Sequence, residues 1–318
     1  MPGPILVPLD GTPQSTRALP HALALARATG APLELVRVLE TPPSGTTGRA
    51  VSLGVTAAIM EAHDRGADEL HALADTLRPA GVDVTATPLA GGLDVPAALL
   101  AHAEARGASM VVMATAARGA LGRAFVGSVA DAVMRRAGRP VVLVPPGADV
   151  ADPPAADLSA ANLPAADVPD AGSRWRVLVP LDGSVQALGA VEYLLGAGDA
   201  LPVDVLLFHA LVPRTLAGVV APEPLLDPDA LGEAQARARA QLEAVAQRFA
   251  ARGVPVRTEV APTSDPAAAV ADAARAAGAH LVVMTTRGEG GLKRLVVGST
   301  AAAVVRATPA PVLLLAPE

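Results

Sequence analysis

The sequence of 318 residues contains no cysteine. This absence excludes a disulfide framework, a thiolate nucleophile and a cysteine-ligated metal site, and it gives no reason to expect an oxidising compartment. Aromatic residues are scarce as well, and the five present are Trp175, Tyr193, Phe125, Phe208 and Phe249. Together with a formal net charge of −6, so few rings argue against a nucleic-acid-binding protein, which needs a basic surface and stacking platforms.

Long apolar runs are missing too. No uninterrupted run reaches the length of about 18 residues that spans a bilayer, and the first residues lack the basic and apolar segments of a secretory signal. We therefore expect a cytoplasmic protein with no membrane partner. The six histidines show no metal-ligand spacing, so the sequence predicts no protein metal site.

What the sequence does contain is one domain written twice. Residues 5–12, ILVPLDGT, return as residues 177–184, VLVPLDGS, at an offset of 172. Residues 126–146 return as residues 297–317 at an offset of 171. Because the two offsets are nearly equal, the elements between these segments match in number and almost in length.

The duplication predicts two domains, residues 1–146 and 175–318. The segment between them, 147–174, holds five aspartates and four prolines and shows no apolar period. Such a composition cannot bury a core and is typical of a linker.

Each domain alternates short Val- and Leu-rich runs with Ala-, Leu-, Arg- and Glu-rich segments. The predicted strands are 4–9, 32–39, 82–88, 109–113 and 140–145, then 175–181, 203–209, 254–260, 280–284 and 311–316. The predicted helices are 14–29, 51–79, 96–106 and 128–137, then 184–197, 229–252, 266–277 and 299–307. This alternation predicts an α/β fold in which each domain has a doubly wound, five-stranded parallel sheet. The site should lie at the carboxyl edge of the strands, where their order reverses.

Helix ends are marked by residues of the expected type. Aspartates that can cap a helix precede the third helix of each domain, at Asp94 and Asp265. Glycines stand where helix C-termini are expected, at Gly30, Gly81, Gly107 and Gly138.

The first candidate loop follows the first strand of each domain and reads Pro-Leu-Asp-Gly. It contains Pro8 and Asp10 in the first domain, and Pro180, Leu181 and Asp182 in the second. A carboxylate there can accept hydrogen bonds from a ribose hydroxyl or an adenine amine. An Asp-Gly pair is also a common turn whose carboxylate caps its own backbone, so the residues alone leave both interpretations open.

The second candidate loop joins the fourth strand to the last helix. It leads from Met113 to Gly127-Ser128 in the first domain, and from Met284 to Gly298-Ser299 in the second. Gly-Ser at a helix start offers unpaired N–H groups, a hydroxyl and a positive dipole end, which suit a phosphate. A serine that only caps its helix leaves the same pattern.

Taken together, the VPLDG loop, the Gly-x2-Gly-x9-Gly-Ser/Thr spacing after the fourth strand and the terminal PVLLL strand resemble the universal stress protein family. The resemblance covers everything except the linker, and it identifies the chain as a tandem of two such domains. It implies Rossmann-like domains with strand order 3-2-1-4-5 that pair through their last strands. Many members of the family bind ATP.

Carried over residue by residue, the resemblance implies that Asp182 contacts the ribose or adenine and that the main chain near Ala210 reads the adenine. The phosphates would lie on the second loop. The implied nucleotide-binding residues of the second domain are Pro180, Leu181, Asp182, Ala210, Met284, Thr285, Arg287, Gly288, Gly298, Ser299 and Thr300. Those of the first domain, expected to bind more weakly, are Pro8, Asp10, Val38, Met113, Gly127, Ser128 and Val129.

The two domains depart from the family pattern to different degrees. In the second, Thr285 stands where the first glycine is expected, while Gly288 is in place. In the first, Ala114 and Ala117 occupy both glycine positions, and each adds a Cβ where N–H groups should approach phosphate oxygens. We therefore expect the second domain to bind nucleotide and the first to bind weakly or to serve as a structural partner.

The resemblance implies a stress-response or signalling module that binds ATP, with any Mg²⁺ held through the phosphates alone. The alternative is a nucleotide-independent interaction module that pairs through strands 140–145 and 311–316. An enzyme is not expected, because no positioned base, nucleophile or G-x4-G-K-S/T motif is evident, and any ATP hydrolysis should be slow and incidental. The expected partners are an adenine nucleotide, the other domain of the chain and an unknown protein, and further dimerisation stays open.

Overall fold

The computed structural model describes residues 2–40, 53–91, 94–115, 127–146, 167–169, 172–212, 228–286 and 298–316. The chain divides into two compact units between Ala166 and Asp167. Of the predicted linker, residues 147–166 and 170–171 lie outside the described residues, so its boundaries stay a prediction. Within the described ranges, no helix combines the length and the apolarity needed to cross a bilayer.

The first unit alternates strands and helices in the predicted order. Its strands are β1 (Ile5–Pro8), β2 (Leu33–Glu40), β3 (Val84–Gly91), β4 (Met110–Ala114) and β5 (Val141–Val144). Its α-helices are α1 (Ala18–Thr29), α2 (Leu53–Leu77), α3 (Val95–Ala105) and α4 (Ser128–Arg136).

The second unit repeats this plan. Its strands are β6 (Trp175–Pro180), β7 (Val203–Leu211), β8 (Val256–Pro262), β9 (Leu281–Thr285) and β10 (Val312–Leu315). Its α-helices are α5 (Leu188–Ala197), α6 (Pro228–Ala250), α7 (Pro266–Ala276) and α8 (Ser299–Ala307).

All strand pairs within a unit are parallel, in the order β3-β2-β1-β4-β5 in the first and β8-β7-β6-β9-β10 in the second. The predicted fold, including the strand order that the family resemblance implied, is confirmed. In each sheet the chain winds outward in one direction from the first strand and then crosses back to its other side. The carboxyl ends of β1 and β4, and of β6 and β9, therefore lie side by side at the point where the order reverses.

Burial differs between the central strands and the strands β3 and β8. The central strands β1 and β4 are almost fully buried, as their continuous apolar runs indicate. The edge strands β3 and β8 are instead largely half-buried or exposed. An apolar run alone does not distinguish these places, because only the strand order puts neighbours on both sides.

The predicted capping residues and helix-ending glycines are confirmed. Asp94 accepts a hydrogen bond from the N–H of Ala97, and Asp265 accepts from those of Ala267 and Ala268. The glycines expected at helix C-termini adopt positive φ angles of 66°, 77°, 57° and 56°, at Gly30, Gly81, Gly107 and Gly138. These are left-handed conformations that disfavour a side chain.

The first helix of each unit begins later than predicted. Residues 15–17 form a short 3₁₀ turn before α1, and i→i+3 hydrogen bonds carry the chain from residue 185 into α5. The Asp-Gly turn that precedes each helix uses its own polar groups to hold these residues in a tighter turn.

Candidate functional site

The Asp-Gly loop of the first unit is a turn built on Asp10. Its Oδ1 accepts hydrogen bonds from the N–H of Thr12 at 2.9 Å and from the Thr12 hydroxyl at 2.6 Å. Gly11 has φ +82°, which is the reason that glycine follows the aspartate. The turn interpretation is therefore correct for Oδ1, and a carboxylate held in this way is oriented while it keeps capacity for further donors.

The second unit repeats the arrangement. Asp182 Oδ1 accepts from the N–H of Ser184 at 3.0 Å, and Gly183 has φ +85°. Ser184 in turn accepts through Oγ from the N–H of Ala187 at 3.2 Å, at the start of α5. Asp182 itself is exposed at the carboxyl edge of the sheet, where a ligand can reach it.

The main chain of the second strand faces this turn in both units. The Leu9 N–H donates to the carbonyl of Val36, and the Leu181 N–H donates to that of Phe208. Strand residues two positions apart present their backbone groups to the same neighbour. Val38 and Ala210 therefore direct their N–H and C=O groups towards β1 and β6, just past the ends of those strands and beside the aspartates.

The helix that follows the second candidate loop begins at the expected residue in each unit. Ser128 is the first residue of α4 and Ser299 is the first residue of α8. In the second unit, the Gly298 N–H donates to the carbonyl of Thr286 at 2.7 Å, which ties the start of α8 to the end of β9. Ser299 and Thr300 are exposed on the first turn of α8.

The glycines before these helices differ between the units. Gly127 has φ +83° and ψ 142°, a conformation that a side chain strains, whereas Gly298 has φ −56° and ψ 144°, which other residues adopt. Ala114, one of the two alanines at expected glycine positions, is the last residue of β4. An extended strand residue accommodates a Cβ without strain, so Ala114 does not by its conformation weaken the first unit.

Three predicted site residues lie in the strands that precede the second candidate loop. Met113 and Met284 are buried at 6% and 9% exposure in β4 and β9, and Thr285 is buried at the end of β9. Their side chains therefore belong to the core beneath the site. The predicted ligands Arg287 and Gly288, and Ala117 of the first unit, lie outside the described residues.

Sequence reasoning missed a pair of side chains that lies on the Asp-Gly turn of the first unit. Arg37 on β2 forms an ion pair with Glu69 on α2, with Nη1 2.8 Å from Oε2. Its guanidinium covers Gly11 so closely that a Cβ there would lie 2.3 Å from Nη2. The matched positions at offset 172 are His209 and Gln241, and they place different chemistry at the second turn.

In the second unit the side chains at these matched positions, His209 and Gln241, are uncharged. Gln241 Oε1 would lie 3.2 Å from a Cβ at Gly183. Burial lowers the pKa of His209 below its ordinary value, although the charge of Asp182 and a hydrogen bond with the Leu181 backbone oppose the shift. The neutral imidazole is thus favoured beside Asp182, where the first unit has a permanent guanidinium. The offset between the copies could have identified Glu69 and Gln241, but only the packing of helix on strand shows that they reach the turn.

Metal ligands were not expected, and the described residues contain no group of three or more His, Asp or Glu side chains that could hold a metal ion. The described part of the candidate site therefore consists of a carboxylate, main-chain groups, hydroxyls and a helix N-terminus.

Comparison with known proteins assigns both units to the same family. A model of the universal stress protein family matches residues 1–145 and 174–316. Universal stress proteins of Mycobacterium tuberculosis and Mycobacterium bovis are each 30% identical over 209 residues, which is 65% of this chain. The matched region spans 61% of the length of these curated relatives.

Solved structures resemble the chain over almost its full length. A universal stress protein from Archaeoglobus fulgidus has 18% identity and a TM-score of 0.62, with 98% of both chains covered. A protein described as a universal stress protein from Pseudomonas aeruginosa has 19% identity and a TM-score of 0.57, with 99% of this chain and 93% of that chain covered. At such identities the likeness concerns the fold.

Proposed function

Because the chain belongs to the universal stress protein family, we propose that its second unit binds ATP at the carboxyl edge of its sheet. In this proposal the protein acts in a stress response by binding ATP, and it has no dedicated catalytic activity. One arrangement supports the proposal: the Asp182 carboxylate, the main chain of Ala210 and the start of α8 all border the place where the strand order reverses.

The sugar and base end of the ligand fits the Asp182 side. A carboxylate already oriented by the Ser184 N–H accepts a ribose hydroxyl or an adenine amine without first being ordered. The N–H and C=O groups of Ala210 provide the donor and acceptor pair that the edge of an adenine ring requires.

The phosphate end fits the start of α8. The first N–H groups of a helix have no partner within the helix, and the positive dipole end favours an anion. The first turn of α8 contains no acidic residue, so nothing in that turn repels a phosphate, and the Ser299 and Thr300 hydroxyls are exposed beside it. Mg²⁺, if it enters with ATP, is held through the phosphates in this proposal.

The same turn supports the proposal that the unit binds rather than hydrolyses ATP. Hydrolysis requires a group that positions or activates the attacking water. The described residues at the start of α8 supply hydroxyls and amides, which bind phosphate but do not take a proton from water at neutral pH.

The first unit is proposed to bind more weakly. Its Asp-Gly turn is covered by the Arg37–Glu69 ion pair, which a ligand must displace or fit around, whereas the second turn carries uncharged side chains. This observation favours an interaction role for the first unit. The pairing of the two domains through β5 and β10, and a homodimer or an unidentified protein partner, belong to the proposal as well.

The test begins with the protein as purified. Denaturation followed by mass spectrometry of the released small molecules is expected to give an adenine nucleotide. Titration of the stripped full-length chain by calorimetry is then expected to show ATP binding that Asp182→Ala weakens at least tenfold, because a hydrogen bond to a charged group is worth about 1.5–3 kcal/mol.

Two matched variants sharpen this test. Asp10→Ala makes the same change in the first unit and is expected to alter the total affinity much less. Asp272→Ala removes an exposed carboxylate on α7 and should leave binding unchanged. Equal effects of Asp182→Ala and Asp10→Ala would refute the asymmetry, and no nucleotide in either experiment would favour the nucleotide-independent interaction module.

A further inference from the structure

The second unit has a cavity at the amino-terminal edge of its sheet, opposite the edge that carries the candidate nucleotide site. Its volume is about 330 Å³, at the lower end of the range typical of small-molecule sites. It lies where β6, β7 and β8 begin and α7 ends, and its lining includes Leu206, Val256, Ala277, Ala279, Arg176 and Arg257.

The corresponding place in the first unit is filled by a network of polar side chains. Glu34 is buried there at 1% exposure. Its carboxylate accepts hydrogen bonds from Thr87 at 2.6 Å and from Arg106 at 3.0 Å, and it contacts His102 Nε2 at 2.8 Å.

The second unit replaces the large members of this network with smaller, apolar ones. Offsets of 172 and 171 match Glu34 with Leu206, His102 with Ala273, and Arg106 with Ala277. Leucine substitutes for the buried carboxylate, but two alanines do not fill the volume of an imidazole and a guanidinium. The cavity is therefore a consequence of how the copies diverged.

The rim of the cavity is positively charged. Arg176 donates a hydrogen bond from its Nε to the carbonyl of Gly278 at 2.5 Å, and its Nη2 lies 3.8 Å from the Asp167 carboxylate, which is 72% exposed. Arg257 is exposed, and among the described residues it has no ion-pair partner. The one carboxylate in the lining, Asp204, is already paired with Arg174 at 2.5 Å.

The charge pattern also limits what can bind. Leu206 and Arg257 are paired neighbours in the sheet, so both project from the same face. Glu259, two residues further along β8, projects from that face as well, and it would repel a second negative group placed beyond the first. An apolar floor under two guanidinium groups therefore fits a molecule with an apolar body and a single anionic end.

We propose that this cavity binds a small amphiphilic monoanion, of the class of medium-chain carboxylates. The apolar body lies against Leu206, Ala277 and Ala279, and the carboxylate lies between Arg176 and Arg257. This site is separate from the nucleotide site and does not depend on the proposal that the second unit binds ATP.

The experiment is a titration of the full-length chain, with methyl-labelled alanine, leucine and valine, followed by NMR. The probes are octanoate and 1-octanol, which share an apolar chain and differ in charge. Octanoate is expected to shift the methyl signals of Leu206, Ala277 and Ala279, and to bind about tenfold more tightly than 1-octanol, as one charge-assisted contact implies. Shifts spread over the surface, or none at millimolar octanoate, would overturn the proposal.

Three variants assign the effect to the cavity. Ala277→Leu fills the floor and is expected to abolish binding of both probes, whereas Arg257→Gln should remove the preference for octanoate but leave the weak binding of octanol. Arg237→Gln changes an exposed arginine on α6 and should have no effect. The proposal is wrong if Ala277→Leu and Arg257→Gln bind octanoate like the unaltered chain, and Asp182→Ala should bind it normally whether or not ATP binds.

Discussion

The two units of this chain share a sheet order, and the second strand of each contains a buried position at which they differ in chemistry. On β2 the position holds Glu34, 1% exposed, and on β7 it holds Leu206, 8% exposed. Burial by itself raises the pKa of Glu34, but hydrogen bonds from Thr87, His102 and Arg106 outweigh it and bring the pKa below its ordinary value. A carboxylate and a leucine thus occupy equivalent places because each is satisfied, one by donors and the other by apolar contact.

The difference shows what the doubly wound scaffold demands and what it leaves free. A polar group buried at this edge of the sheet needs a hydrogen-bonding partner. The same fold forms with either an ionic network or smaller apolar side chains there. The ionic network of the first unit requires several residues to be present together. The smaller apolar residues of the second unit leave a cavity.

The largest expected effect comes from breaking the ionic network halfway. Glu34→Leu leaves the largely buried His102 without its acceptor, while water can solvate the half-exposed Arg106, and it should destabilise the first unit by about 1–3 kcal/mol, the usual cost of an unsatisfied buried polar group. Urea unfolding checks this. Circular dichroism reports both units, and Trp175, the only tryptophan, reports the second unit alone.

A triple variant supplies the matched control for this prediction. Glu34→Leu with His102→Ala and Arg106→Ala reproduces the residues of the second unit, and it should recover much of the loss because neither donor remains. A triple variant as unstable as Glu34→Leu alone would show that the network contributes through its packing rather than through its charges.

A smaller difference is expected at the two Asp-Gly turns. Gly11→Ala and Gly183→Ala both force a side chain into a positive φ, at a cost of about 1–2 kcal/mol. Gly11→Ala should cost more, because its Cβ displaces Arg37 from Glu69, whereas Gln241 can move away from Gly183 without losing an ion pair.

Differential scanning calorimetry of the two variants measures this difference. Arg37→Ala combined with Gly11→Ala is the control, since it removes the obstructing guanidinium. Gly11→Ala should lower the stability of the Arg37→Ala variant by less than it lowers that of the unaltered chain. The explanation fails if the two losses of stability are equal.

The smallest effect is a difference in pH dependence. Burial and the nearby Arg176 charge lower the pKa of His280, while Asp167 opposes the shift. A group whose pKa is lower in the folded state favours folding above its unfolded value of about 6.5, and this contribution declines as the pH falls towards the folded value. The structural reason is that His280 Nδ1 accepts a hydrogen bond from the Arg176 N–H at 3.1 Å, which a proton on Nδ1 would abolish.

Urea unfolding followed by Trp175 fluorescence between pH 8 and pH 5 measures this loss, since the two rings are 6.2 Å apart. The His280→Asn variant should have a flatter pH dependence over that range. The lowered pKa of Glu34 acts in the same direction but at lower pH: its contribution to the first unit persists below pH 6.5 and is lost only as the pH falls from about 4.5 through the lower folded pKa. The expected order is wrong if the first unit loses stability at a higher pH than the second unit does.

The sequence predicted most of the fold because its signals are local. The Val-Pro-Leu-Asp-Gly repeat, the helix-ending glycines and the capping residues Asp94 and Asp265 each act over a few neighbouring positions, and the structure confirms them. Two features of the candidate site, the turn at Asp182 and the helix start at Ser299, were predictable because they are also local, whereas the nucleotide contacts assigned to these residues stay predictions. The contact of Arg37 and Glu69 with the Asp10 turn could not be predicted from the sequence. These two residues belong to a strand and a helix, and they are 32 positions apart in the chain.

By itself, therefore, the sequence determined that the chain holds two copies of one α/β domain and in which order its strands, turns and helices follow one another. Only the tertiary structure decided which side chains meet: that Arg37 covers Gly11, that Glu34 finds three partners, and that Leu206 lies beside an open cavity. The reason is physical, because backbone preferences act between neighbours in the chain, whereas burial, charge pairing and empty volume depend on residues that become neighbours only when the sheet and its helices pack.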